Sequence, residues 1–226
     1  DLWPVDIRRF GKPHQDLEWV RKRTYEAYAK HYTMAWPFEE HSSGRNYQTS
    51  PIFDDLTKAN ACFGEKLGWE RPNWFAPKST EPKDVYSFDR QNWFEVVGEE
   101  VKATREKAVL IDQTSFAKFL ITGSESSKAL EYICSNNIDK PVGSTIYTQM
   151  LNHHGGIECD VTITVIDKNT FYLVTGTGFM THDLNWISAN IPNGMDVKIK
   201  NITYENSVFS LMGPNSREIL QGLTES

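Results

Sequence analysis

The chain has 226 residues, of which 39% are hydrophobic and 24% are charged, as in an ordinary globular protein. Lys and Arg total 24 against 30 Asp and Glu, so the net charge is -6 and nucleic-acid binding has no electrostatic basis. No window approaches the run of about 18 apolar residues that suggests a membrane span. We therefore predict a water-soluble globular chain with no nucleic-acid partner and no membrane span.

The first part of the chain is rich in Trp, Tyr, His and Pro, and two helices are predicted in it. The first covers residues 16–30, and its spacing predicts an apolar face made of Leu17, Val20, Thr24 and Ala27. The second covers residues 52–64 and ends at a glycine. Residues 76–83 are polar and contain two prolines, so a domain boundary is predicted near residue 80.

Strands and helices alternate from about residue 92. Strands are predicted over residues 109–111, 116–122, 146–151, 157–166, 171–175, 195–202 and 208–212. The first predicted helix covers residues 94–107, and the second follows Ser124, which is predicted to cap it. A third helix is predicted from the apolar stripe of Met180, Leu184, Ile187 and Ile191, and a fourth begins at Pro214. Because short glycine-containing turns join several strands as hairpins, the pattern predicts an α+β fold with antiparallel strands and packed helices.

The segment 157–165 alternates almost perfectly between apolar and polar side chains. Its apolar face must pack on a core, whereas its polar face either meets solvent or lines a cavity for a polar ligand. The alternation alone does not choose between these two interpretations. If a cavity is present, Asp160 is a carboxylate held on a rigid strand, suited to accept a hydrogen bond or to stabilise a developing cation.

Cysteine and histidine give no pattern typical of a metal site. Cys62, Cys134 and Cys159 are widely spaced without a CxxC motif, so they are predicted to be buried small hydrophobic residues in a reducing compartment. The neighbouring His153 and His154 would point to opposite faces of an extended segment. His182 is expected at the surface or the core edge, and no metal ligand is predicted.

Several segments resemble known proteins. Residues 6–11, 47–54 and 68–75 resemble the segment that links the flavin and folate regions of dimethylglycine and sarcosine dehydrogenases. Residues 112–119, 147–156 and 211–214 resemble the folate-binding domain that these enzymes share with the glycine-cleavage T-protein. The resemblance implies that residues 1–80 end a flavin-enzyme central region and that residues 81–226 begin an aminomethyltransferase-like folate-binding domain.

The resemblance also assigns roles to individual residues. Asp160 matches the family's catalytic aspartate beside tetrahydrofolate. Cofactor-binding positions are implied at Tyr147, Met150 and Leu151 near the pterin, and at Thr175 near its edge. The implied chemistry is capture of a one-carbon unit as 5,10-methylenetetrahydrofolate, with Asp160 as a buried acid that points into a hollow shaped for the pterin.

At the level of the whole protein, the resemblance implies an FAD- and tetrahydrofolate-dependent demethylating dehydrogenase that acts on an N-methylated amine. An electron-transfer flavoprotein is an expected partner, and the mitochondrial matrix is the expected location in a eukaryote, the cytoplasm otherwise. The sequence lacks an initiator methionine, a flavin fingerprint and the second half of the folate domain, so we expect an internal piece that is inactive alone. The alternative is a non-catalytic regulatory subunit that reuses this fold, like the pyruvate dehydrogenase phosphatase regulatory subunit.

Overall fold

The computed structural model describes residues 5–7 and 10–224. The chain divides into two compact units, one made of Asp1–Gly11 and Ser115–Asn206 and the other of Lys12–Thr114 and Ser207–Ser226. The helices are α1 (Leu17–Lys30), α2 (Phe53–Lys58), α3 (Phe94–Glu106), α4 (Ser126–Ile133), α5 (Met180–Asn190) and α6 (Ser216–Gln221). The strands are β1 (Ala61–Lys66), β2 (Trp69–Phe75), β3 (Val109–Asp112), β4 (Ala117–Thr122), β5 (Thr145–Leu151), β6 (Ile157–Asp167), β7 (Thr170–Thr175), β8 (Lys198–Asn201) and β9 (Phe209–Met212). The predicted α+β class is confirmed.

The first unit is built on a five-stranded sheet with the order β5-β6-β7-β4-β8. All neighbouring strands are antiparallel. The long strand β6 has a partner on each side, and Cys159, Val161, Ile163 and Val165 alternate into the core. The predicted alternation therefore places an apolar layer on one face of the sheet.

Two helices contribute to the same apolar core. Leu130 of α4 and Ile187 of α5 are fully buried in one cluster with Phe119, Ile163 and Leu173 of the sheet. Helix α5 follows the predicted stripe, because Met180, Leu184 and Ile191 also pack against this cluster. The outer edge of β5 is covered by the segment after α4: the Ser135 amide donates to the Gln149 carbonyl at 2.8 Å, and Asn136 Nδ2 donates to the Tyr147 carbonyl at 3.0 Å.

The second unit contains two small antiparallel pairs, β1 with β2 and β3 with β9. Its buried cluster is Cys62, Trp74 and Ala76, against which Trp93, Val96 and Val97 pack. Among the residues described, no helix is both long and apolar enough to cross a bilayer.

Helix α1 lies where it was predicted, with Asp16 as its cap, but it packs through a different face. Leu17 is 85% exposed and Thr24 and Ala27 are exposed, so the predicted apolar face is wrong. Of the four predicted residues only Val20 is half-buried, whereas the buried Trp19 and the half-buried Arg23, Glu26 and Lys30 form a different stripe of the helix. Each makes a polar contact: Trp19 Nε1 donates to the Gly44 carbonyl at 2.7 Å, and Arg23 Nη1 donates to Glu65 Oε2 at 2.9 Å.

The predicted helix over residues 52–64 is too long. Helix α2 ends at Lys58, and Asn60 adopts a left-handed conformation, with φ of 66°, before strand β1 begins. Asparagine tolerates this conformation, which breaks a helix. Asn60 Nδ2 also lies 3.0, 3.1 and 2.9 Å from the carbonyl oxygens of Ala76, Pro77 and Thr80, so it holds the start of the predicted linker.

Two other predicted features differ in detail. Ser124 does not cap α4, because its hydroxyl donates to Asp196 Oδ2 at 2.7 Å and the helix starts at Ser126. Helix α6 starts two residues after Pro214, at Ser216. Both differences lie at helix ends, where the sequence signal is local and a tertiary contact can override it.

Glu26 of α1 accepts hydrogen bonds from the backbone amides of Ser42 and Ser43, and its charge should contribute to the stability of the fold. Burial raises its pKa, but donors from Lys30, Ser42 and Ser43 outweigh this effect and hold the pKa well below the ordinary 4.5. Because the pKa is lowered on folding, the stabilisation is present above pH 4.5 and is lost as the pH falls. We expect Glu26→Gln to lower the free energy of unfolding by roughly 1.5–3 kcal/mol at neutral pH.

Urea unfolding of both proteins as a function of pH tests this expectation. The gap between wild type and Glu26→Gln should narrow as the pH drops below 4.5. Glu18→Gln is the matched control, since Glu18 is exposed on the same helix and pairs with the exposed Lys22. A Glu18→Gln effect as large as that of Glu26→Gln would contradict the assignment.

Candidate functional site

A cleft of about 820 Å³ lies in the first unit, at the end of the sheet where β4 and β6 begin and β7 ends. It is lined by Phe116, Asn152, Ile157, Glu158, Asp160, Thr175, Gly176, Phe179, His182 and Asp183. Its wall therefore combines aromatic and aliphatic groups with three carboxylates and one imidazole. Of the two interpretations left open for the polar face of β6, the cavity applies at the end that carries Glu158 and Asp160.

Asp160 lies on this wall but is exposed, so the expectation of a buried acid is wrong. It faces away from the apolar core because it alternates with Cys159 and Val161 along β6. The hydroxyl of Tyr147 donates to Asp160 Oδ2 at 2.9 Å, across the β5–β6 pair. This bond fixes one carboxylate oxygen and leaves the other available to a ligand in the cleft.

The other predicted site residues fall in different surroundings. Thr175 lines the cleft and is buried, whereas Tyr147 reaches the cleft through its bond to Asp160. Leu151 is 41% exposed and lies opposite Ile157, which is part of the lining. Met150 is fully buried in the apolar core, on the opposite face of β5 from Tyr147, and is not part of the lining. The roles of these residues stay predictions.

A second group of polar side chains lies beside Asp160, and of its members only Thr175 was predicted from the sequence. His182 Nδ1 is 2.9 Å from Asp183 Oδ1, and His182 Nε2 is 3.6 Å from Glu158 Oε2. Thr175 donates a short hydrogen bond to the other oxygen of Asp183. Burial raises the pKa of Asp183, while hydrogen bonds from Thr175, His182 and Cys159 oppose that rise.

One sequence signal could have revealed Asp183. It lies three residues after Met180 and four before Ile187, which places it on the apolar stripe of α5. A carboxylate at such a position must have polar partners when it is buried. Besides the adjacent His182, the partners are Thr175 of β7 and Cys159 of β6, and the spacing along the chain does not identify these two.

All three cysteines are free thiols, with Cys62 and Cys159 buried. Burial raises the pKa of Cys62 to about 11 and that of Cys134 to about 12. Burial also raises the pKa of Cys159, and the nearby carboxylate of Asp183 raises it further. The thiols of Cys62 and Cys134 thus remain protonated near neutral pH, as expected for structural cysteines.

The comparison with protein families assigns the chain. Residues 52–226 match the GCVT N-terminal domain, and residues 1–50 match the FAD dependent oxidoreductase central domain. The chain therefore belongs to the GCVT N-terminal domain family, which confirms the predicted resemblance. The structure is similar to that of the glycine cleavage system aminomethyltransferase T from Bartonella henselae, with a TM-score of 0.64 and 22% identity, over 78% of this chain and 44% of that one.

The curated relatives have longer chains. The sequence is 31% identical to the pyruvate dehydrogenase phosphatase regulatory subunit of Mus musculus, over 99% of this chain and 26% of the relative. It is 35% identical to dimethylglycine dehydrogenase of Rattus norvegicus, over 99% of this chain and 26% of that relative. It is 29% identical to sarcosine dehydrogenase of Mus musculus, over 100% of this chain and 29% of that relative. The chain thus spans little more than a quarter of the length of these mitochondrial relatives.

The buried hydrogen bond between Thr175 and Asp183 should support the wall of the cleft. Thr175→Val keeps the side-chain shape but leaves Asp183 without this donor, so we expect it to lower the free energy of unfolding by about 1–3 kcal/mol. Thr164→Val is the control on β6, because the Thr164 hydroxyl contacts the Thr145 hydroxyl at a solvent-exposed position. Chemical denaturation should show a change within about 0.5 kcal/mol for the control. Equal losses in both variants would contradict the role of Thr175.

Proposed function

We propose that this chain is part of a flavin- and tetrahydrofolate-dependent demethylating dehydrogenase of the sarcosine or dimethylglycine type. In this proposal, its cleft holds the folate that accepts the one-carbon unit. The observation that carries the proposal is Asp160, a carboxylate on a rigid strand, on the wall of a cleft and held by the Tyr147 hydroxyl. Family membership and the dehydrogenase relatives support it.

The residues of the cleft fit a pterin. Its volume of about 820 Å³ lies within the usual range of about 300–1,000 Å³ for small-molecule sites. Phe116, Phe179 and Ile157 offer apolar contacts for a flat ring, while Glu158 and Asp160 offer acceptors for its N–H groups. Tetrahydrofolate, when bound, supplies a nucleophilic nitrogen that takes up the carbon as 5,10-methylenetetrahydrofolate.

In this proposal the protein positions the folate and stabilises positive charge. Asp160 accepts a hydrogen bond from the folate and lies where cationic character develops during one-carbon transfer. Tyr147 orients the Asp160 carboxylate, since its hydroxyl donates to Oδ2. Thr175 lines the edge of the site, and Leu151 contributes apolar surface beside Ile157. Met150 would act from the core, by supporting β5.

The rest of the proposal concerns the whole protein. FAD would oxidise the N-methyl group of a small amine, and an electron-transfer flavoprotein would accept the electrons. The names of the relatives support a mitochondrial location in a eukaryote. In this proposal the compartment is the matrix, or the cytoplasm if the source is not a eukaryote. The boundary between the flavin and folate regions near residue 80 stays a prediction from composition. The two family matches meet at residues 50–52.

The proposed role of Asp160 can be tested in the full-length protein. We expect Asp160→Ala to leave amine oxidation largely intact, because the flavin step does not use this residue. Formation of 5,10-methylenetetrahydrofolate should fall roughly 100-fold, within the range for loss of one electrostatic stabilising group, and formaldehyde should accumulate. Reduction of an electron acceptor, folate product and free formaldehyde are measured in parallel.

Asp167→Ala is the matched control, since Asp167 ends the same strand and is not part of the cleft lining. It should leave both products unchanged. Tyr147→Phe should give a smaller loss of folate product than Asp160→Ala, because it removes only the orienting bond. Equal yields of folate product from Asp160→Ala and wild type would refute the proposed role.

A second candidate is a non-catalytic regulatory subunit, favoured by the 31% identity to the pyruvate dehydrogenase phosphatase regulatory subunit. The two candidates differ in the flavin. A flavin absorbance band and amine-dependent reduction of that band in the full-length protein support the enzyme. Absence of both supports the regulatory subunit.

A further inference from the structure

Cys159, His182 and Asp183 come together at one point beside the cleft. Their ligand atoms, one from each residue, all lie within 4.8 Å of one another. Cys159 is 2% exposed and Asp183 is 1% exposed, whereas the His182 side chain is 20% exposed. Strand β6 supplies the cysteine and helix α5 supplies the other two, so two rigid elements hold the group.

The three donors match the ligands that zinc and similar ions prefer. Zinc binds thiolate, imidazole and carboxylate groups in tetrahedral sites, with Zn–N and Zn–O distances of about 2.0–2.2 Å. Two such ligands lie roughly 3.3 Å apart around one ion. His182 Nδ1 and Asp183 Oδ1 are 2.9 Å apart, so only a small widening would admit an ion between them.

The surroundings also resemble those of metal-binding histidines. Such a histidine donates its second ring N–H to a carboxylate or a carbonyl. Here His182 Nε2 faces Glu158 Oε2 at 3.6 Å, and Asn152 Nδ2 fixes the other Glu158 oxygen at 2.7 Å. Thr175 fixes the remaining oxygen of Asp183, so both outer partners are in place before any ion binds.

The group can be reached from the cleft, since His182 and Asp183 are part of its lining. Cys159 hydrogen-bonds to Asp183 as a thiol, so binding of a cation would release the Cys159 proton to solvent, and the cation would then compensate the negative charges of the thiolate and of Asp183. With three protein ligands, a tetrahedral ion keeps one position for water or for an oxygen of a cleft ligand.

We propose that Cys159, His182 and Asp183 bind one divalent transition-metal ion of the zinc type, with a fourth position open to the cleft. This proposal differs from the sequence-based expectation of no metal ligand. It does not rest on the proposed folate chemistry.

The test uses Co²⁺ as a spectroscopic probe added to the metal-free full chain. A cysteine thiolate on Co²⁺ gives an intense charge-transfer band in the near ultraviolet, and tetrahedral coordination gives visible bands. We expect wild type to show both, at one ion per chain. Zn²⁺ added afterwards should displace the Co²⁺ and abolish the bands.

The three cysteines provide matched variants. Cys159→Ser should lose the thiolate band, while Cys62→Ser and Cys134→Ser should keep it. Glu158→Gln should keep the band but weaken Zn²⁺ binding by about 10–100-fold, the usual effect of removing an outer partner. Circular dichroism checks the fold of each variant. If Cys159→Ser does not fold, His182→Ala tests the site instead. The His182 side chain is partly exposed, so its removal should be tolerated, and its loss should weaken Zn²⁺ binding.

Absence of the thiolate band in wild type would overturn the proposal. Persistence of the band in Cys159→Ser, or unchanged Zn²⁺ affinity in His182→Ala, would overturn it as well. Because the readout is the spectrum of the added metal, a negative result leaves the folate proposal unaffected. Loss of folate transfer in Asp160→Ala likewise does not decide the metal site.

Discussion

Strand β6 imposes the main constraint on the first unit, because one backbone must serve two environments. Its odd-numbered residues from Cys159 to Val165 are buried in the core, so its even-numbered residues must point to the other side. Pairing with β5 and β7 fixes this register, since a shift by one residue would turn the apolar set outward. The position of Asp160 on the cleft wall is thus a consequence of core packing.

Near the cleft, neighbouring residues of the same strand belong to different chemical groups. Asp160 and Tyr147 form the exposed pair on which the folate proposal depends, while Cys159 points to Asp183 on the inner side. Glu158 lies between the two sets, because its oxygens face Asn152 and His182. Any ligand of the outer pair would therefore lie within the electrostatic reach of the inner carboxylates.

Sequence patterns predicted most of the first unit, because hydrophobic alternation and the helical stripe of α5 report directly on burial. They predicted the face of Asp160 for the same reason. They gave a wrong face for α1, where Trp19, Arg23 and Glu26 pack through hydrogen bonds to distant backbone and side chains. The group of Cys159 and Asp183 was missed because its members come from a strand and a helix that only the tertiary fold brings together.

The cover over the outer edge of β5 has a consequence for solubility. A strand with a partner on one side presents unpaired amide and carbonyl groups that can template pairing with another molecule. Ser135 and Asn136 already bond to the carbonyls of Gln149 and Tyr147 at this edge. Changes that detach this short segment would therefore expose an aggregation-prone strand edge.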